Sequence, residues 1–211
     1  MALAVAVLGF SSDARAACPR VATPAVSVRV ADPGPRVSST KSLSQINAMA
    51  GSHGLSRKGF RVLGLTEIQI ASAVKVRYEQ RPSGGATCVN VSKVEVRFGL
   101  QNHHVHVPRE YRRGSCQFKV VMRHEMAHVD VNRRTVRKYA KILKNEMRSV
   151  LRRAGPTVAG SFVKGQNVQA ALVQKVLDDV VARFLVERDK LHAVIDTPGG
   201  KYSAGGQCQG W

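Results

Sequence analysis

The chain has 211 residues, 44% apolar and 22% charged, which is enough to bury a core and argues against wholesale disorder. It holds no run of about 18 apolar residues, no short repeat and no heptad array, which excludes a membrane-spanning helix, a solenoid and a coiled coil. Lys and Arg number 33 against 14 acidic residues, a net charge of +19, which favours anionic company: an acidic envelope polymer, anionic lipid or nucleic acid.

The N-terminus reads MALAVAVLGFSSDARAAC. A short apolar run, Ala2 to Phe10, is followed by Ala14-Arg15-Ala16, with small residues where a signal peptidase cuts. Residues 1–16 are therefore expected to be a signal peptide, although a basic n-region is missing, and the mature chain to be secreted or periplasmic. Four cysteines remain after that cut, Cys18, Cys88, Cys116 and Cys208, with no CxxC pair. An even count in an exported chain predicts two disulfides rather than a zinc ribbon. The expected pairing is Cys88–Cys116, tying a strand to a helix start, and Cys18–Cys208, clamping the termini.

Residues 17–65 form an N-terminal region with a strand at Val26, Val28 and Val30 and a short helix over 41–50. Residues 66–211 form the main domain. Alternation predicts a strand over 66–80, with Ile68, Ile70, Val74, Val76 and Tyr78 on one face. After an Arg-Pro-Ser-Gly-Gly turn a second strand runs over 87–100. Its apolar phase slips from odd positions (Val89, Val91) to even ones (Val94, Val96, Phe98), the signature of a β-bulge. The two strands read as a long antiparallel hairpin, followed by a third short strand over 102–107. From Gln117 to Arg153 there is no Gly or Pro, and the apolar spacing predicts one long amphipathic helix. Gly155-Pro156 stops it, and a second helix follows over 167–193, antiparallel to the first. Strands followed by helices define an α+β arrangement.

The sharpest motif is His124-Glu125-Met126-Ala127-His128, an HExxH inside the first long helix. Positions i and i+4 lie one above the other on a helix, so both imidazoles can reach one metal. Glu125 points to a neighbouring face, where a carboxylate can take a proton from a water on Zn2+. A catalytic zinc usually has three protein ligands. Val131 and Arg134 stand where the metzincin extension needs Gly and His. Glu146, at the distance of a gluzincin ligand, lies about 27 Å along the same unbroken helix. The third ligand must therefore return on the second helix. Counting back along an antiparallel helix leads to His192, with Asp196 and Glu187 as alternatives.

His104 and His106 share one face of the strand over 102–107. They are candidates for lining the substrate cleft, and the strand itself is a candidate edge for strand addition by substrate; outward polar residues of an edge strand are the alternative. Asp130 is placed to orient a ligand histidine or to pair with Arg133 or Arg134. Tyr202 is placed to stabilise an oxyanion or to pack. A dense basic face runs from Arg133 to Arg153. It lacks interleaved aromatics and any recognition module, which argues against sequence-specific nucleic-acid binding.

The stretch VHVPREYRRGSCQFKVVMRHEMAH, residues 105–128, resembles zincin-type metallopeptidases, and within them a poorly characterised bacterial family of predicted secreted zinc-dependent proteases. The likeness covers about residues 66–200, with HExxH as its firm motif. It implies a zincin-like fold, His124 and His128 as zinc ligands and Glu125 as base. The family's distal ending, an Asp, a Thr and a His-Gly pair, corresponds to residues 192–202, which hold Asp196 but no His-Gly. The activity expected is hydrolysis of a peptide or protein substrate. The alternative is a non-catalytic protein that binds an anionic envelope polymer and retains the metal site.

Overall fold

The computed structural model describes residues 18–19, 21–55, 61–204 and 206–209; the expected signal peptide lies outside them. The chain runs β1 (Ala25–Ala31), β2 (Arg36–Ser38), α1 (Leu43–Ser52), β3 (Leu65–Ser83), β4 (Ala86–His106), α2 (Cys116–Ala154), β5 (Thr157–Ala159) and α3 (Phe162–Ile195). Among the described residues no helix is long and apolar enough to cross a membrane.

The hairpin of β3 and β4 dominates the sheet. Gly84 and Gly85 turn it with positive φ at both positions (52° and 80°), which a two-residue hairpin loop of matching twist requires. The phase slip is a bulge: Tyr78 pairs with Val91 and Arg77 with Lys93, so Ser92 is left over. A second bulge leaves out Gln101, between the pairs Ile70–Leu100 and Gln69–Asn102. That bulge corrects the expected third strand. Residues 102–106 continue β4, and the extra residue moves the buried set from even to odd positions, so that Val105 and Val107 are core residues.

β4 is the central strand. β3 covers one edge of it, and β5, β1 and β2 succeed one another along the other, at residues 87–89, 93–99 and 104–106. The sheet is mixed, which corrects the antiparallel expectation. β3 and β5 run antiparallel to β4, but β1 and β2 run parallel to it, because the chain passes through α1 and β3 before entering β4. The same residues settle two further points. Residues 104–106 are flanked on both sides by strands, so they are not an edge and have no free backbone for strand addition. The disulfides are Cys18–Cys88 and Cys116–Cys208, not the expected pairs. Parallel pairing of β1 with β4 carries Cys18 to the start of β4, and the return of α3 carries the tail to the start of α2.

Both long helices pack on one face of the sheet. Val94, Val96, Phe98 and Leu100 of β4 meet Val136, Leu143 and Met147 of α2 and Val173, Val180 and Phe184 of α3. The cross-helix pairs Asn132–His192, Lys138–Glu187 and Glu146–Arg183 advance along α2 as they go back along α3, so the helices are antiparallel. Ser115 caps α2 by accepting a hydrogen bond from the Phe118 amide. The 12%-exposed Asp32, after β1, accepts from Arg133 and Arg137 and ties α2 to the sheet. Burial alone would raise the Asp32 pKa, but hydrogen bonds from Arg133 and then Arg137 hold it below its usual value. A depressed carboxylate stabilises the fold above its unfolded pKa and loses that contribution as pH falls. Asp32→Asn should therefore cost about 1–2 kcal/mol at pH 7. In urea melts at stepped pH the difference should shrink below about pH 4; a cost that persists unchanged in acid would refute this account.

Candidate metal centre

His124 and His128 lie one turn apart on α2, with their Nε2 atoms 3.1 Å apart. Asp196 follows the last residue of α3. As the helix C-cap, its amide bonds the His192 carbonyl while its side chain turns inward. Its Oδ1 stands 3.2 Å from His124 Nε2 and 3.0 Å from His128 Nε2. Ligand atoms around a tetrahedral ion with bonds of about 2.0–2.1 Å are roughly 3.3 Å apart, so this triangle can hold a metal ion.

Hydrogen bonds fix the tautomers. His124 Nδ1 lies 2.8 Å from the Tyr202 carbonyl, which can only accept, so Nδ1 carries the proton and Nε2 offers its lone pair. His192 Nε2 lies 2.9 Å from the Oδ1 of Asn132, a residue 1% exposed, and donates to it. His192 Nδ1 must then accept, and its neighbour at 2.6 Å is His128 Nδ1. His128 donates through Nδ1, and its Nε2 also points a lone pair at the triangle. With both imidazoles neutral, three acceptors face one point. The charges make that point attractive to a cation, a proton or a metal ion: burial lowers the His124 pKa, but the Asp196 hydrogen bond and the Glu125 charge outweigh it and raise it. Burial works to raise Asp196, but hydrogen bonds from His124 and His128 hold it far below the carboxylate range. Burial, and then the charge of His128, push His192 down to about 4, so it stays neutral.

His192, the first expectation for third ligand, thus supports His128 rather than facing the metal point, and Asp196 takes its place. Spacing could not separate them, because i and i+4 share one helix face. Glu187 is elsewhere, bound to Lys138 Nζ at 2.6 Å and the Tyr139 hydroxyl at 3.0 Å. Asp130 is exposed, and Arg133 pairs with Asp32 instead of Asp130. Tyr202 contributes its carbonyl, while its ring packs on Ala127, Val131 and Ile195. His106 is buried and bonded to Glu67 at 2.8 Å; neither it nor His104 lines the cleft at the triangle. Asn132 was missed, although it continues the stripe of His124 and His128 by one more turn.

Glu125 is 2% exposed, one residue from His124. Thr66, at the start of β3, donates its hydroxyl to Glu125 Oε2 at 2.7 Å. Burial raises the Glu125 pKa, against the lowering effect of His128 and His124. Gly64 lies so close that a Cβ would fall 2.6 Å from both Glu125 Oε1 and Val121 Cγ1. The triangle, Glu125 and the segment from Leu63 to Thr66 open onto one cleft of about 620 Å³. The tail that carries Tyr202 is fastened over the start of α2 by Cys116–Cys208 and by a bond from Gln117 to the Gln209 carbonyl at 3.1 Å.

No protein-family model, curated protein or solved structure matches this chain.

Removing a ligand and removing its support should differ in degree. Asp196→Ala should abolish stoichiometric metal binding in competition titrations. His192→Phe and Asn132→Ala should weaken it by about 10- to 100-fold, the usual range for the partners of ligand histidines. Wild-type affinity in both support variants would show that the tautomer chain is irrelevant.

Proposed function

We propose that the protein is an exported zinc metallopeptidase of zincin type. The observation that carries this reading is that His124, His128 and Asp196 converge to within 3.2 Å beside the buried carboxylate of Glu125, all on one cleft. Two imidazoles and one carboxylate are a donor set that suits zinc. Bound there, zinc would lower the pKa of a water toward about 7 and polarise a peptide carbonyl.

The chain's own groups do the rest. Glu125 accepts the proton of the attacking water and delivers it to the leaving amine. Its burial raises its proton affinity, which suits a group that must both take and give a proton near neutrality. The Thr66 hydroxyl fixes which carboxylate oxygen is free for that work. The outer edge of β3 has no strand partner among the described residues, and its first residues line the cleft. An extended peptide can add to that edge, so β3 takes the role expected of residues 102–107. Two disulfides and a signal-peptide pattern support an oxidising, secreted or periplasmic setting.

Two substitutions test the reading. Glu125→Gln should keep zinc and fold but lower hydrolysis of a peptide library by about 100-fold or more; undiminished cleavage would end the proposal. Gly64→Ala pushes on the same carboxylate from outside the metal triangle. It should depress kcat with zinc content unchanged, whereas loss of zinc would place Gly64 in the metal site's support instead.

A further inference from the structure

The face of the sheet turned away from α2 and α3 carries a charge pattern that the metal centre and its cleft do not use. Val94, Val96 and Phe98 are buried under the helices, so alternation turns Lys93, Glu95 and Arg97 to the opposite face. The register supplies their neighbours. Lys93 lies between Ala25 and Arg77, Glu95 between Ser27 and Lys75, Arg97 between Arg29 and Ala73, and Gly99 between Ala31 and Ala71. Across these rungs the cations Arg29, Lys75, Arg77, Lys93 and Arg97 meet one carboxylate, Glu95, and every other position is Ala, Ser or Gly. Arg29, Lys75, Arg77 and Arg97 are exposed.

Two rungs set like charges side by side, Arg29 beside Arg97 and Arg77 beside Lys93. Such neighbours cost a sheet stability. Glu95 answers only part of this. It bonds Lys93 at 3.0 Å, and Lys93, then Arg77 and Arg29, draw its pKa down. The contrast with α2 is informative, since Arg133, Arg137 and Lys138 there are each paired with a carboxylate of another element. A repulsive cluster of cations on a flat face is relieved by a ligand with several negative charges.

We propose that this sheet face binds a single chain of an acidic polysaccharide. Two interstrand gaps make the patch about 10 Å wide and its rungs make it about 20 Å long, room for one polymer chain. The Ala, Ser and Gly positions let that chain lie close to the backbone. The three guanidinium groups can each grip a carboxylate or sulfate with two parallel hydrogen bonds. These rungs hold no aromatic residue on which nucleobases could stack. They hold no large apolar residue to enter a bilayer. The surface would hold the protein on an anionic matrix with the cleft still open.

The test uses the disulfide-bonded mature protein, with polygalacturonate, oligothymidylate and phosphatidylglycerol vesicles as probes. Binding to polygalacturonate should be strongest and should weaken steeply with salt. Arg29→Gln, Arg77→Gln and Arg97→Gln together should weaken it by about tenfold or more. A variant of equal charge on α2, Arg134→Gln, Lys141→Gln and Arg148→Gln, should change it by less than about threefold. Since the sheet variant removes repulsion, its Tm without ligand should be equal or higher; if it is lower, Arg97→Gln alone replaces it, with a proportionate loss expected. Equal losses in the two triple variants, no binding to polygalacturonate, or tighter binding to oligothymidylate or vesicles would each overturn the proposal.

Discussion

Three lone pairs aimed at one point, within 3.2 Å of one another, are the constraint around which this molecule is arranged. Two imidazole nitrogens and a carboxylate oxygen repel at that distance unless a positive charge sits among them. The remedies open to a protein are a shared proton or a metal ion. A proton can enter at Nε2 while Nδ1 stays bonded, which makes an imidazolium beside Asp196, whereas a metal ion needs neutral rings with their Nε2 lone pairs free. The Tyr202 carbonyl holds one Nδ1 proton in place and the Asn132–His192 pair holds the other. A neutral site therefore keeps both Nε2 atoms unprotonated, the state in which imidazole binds metal.

Holding that triangle requires parts far apart in sequence. α2 supplies two corners, the end of α3 supplies the third, and the tail beyond it supplies the carbonyl behind His124. Cys116–Cys208 closes this arrangement across 92 residues, so the tail's position depends on oxidation as well as on packing. The link between oxidation and the site is thus physical: the disulfide also seats the carbonyl that orients His124.

Much of this was legible in the sequence, for particular reasons. HExxH on an unbroken amphipathic stretch gave two corners, because helical spacing alone brings i and i+4 together. The slip from Val91 to Val94 gave the first bulge, because side-chain alternation has a period of two and one extra residue inverts it. The second bulge was hidden. Leu100 ends one apolar phase and the polar run Gln101-Asn102-His103-His104 masks the start of the next, so the strand seemed to break. Parallel pairing of β1 left no local trace, since register between distant strands is set by the whole sheet, and the disulfide pairing depended on it. His192 and Asp196 stood on the same face of α3, one turn apart. What separated them was the helix end, where Asp196 is free to leave the helical path while His192 is not.

The distribution of charge follows from the same architecture. β4 is covered on one face by two helices and bordered on both edges, so it can afford charged residues only on its second face. On α2 the cations near the sheet find Asp32 and those near α3 find Glu187. On the open face of the sheet the strands are only about 4.8 Å apart, and Arg29, Arg97, Lys93 and Arg77 cannot separate as side chains on a helix surface can. Only one carboxylate lies among the cations of these rungs. If solubility were the only demand on this face, an alternation of Lys and Glu would meet it without repulsion. The metal triangle and the open sheet face share a physical feature. In each, like groups are held closer than they would settle alone, and in each a partner of opposite charge would relieve the arrangement.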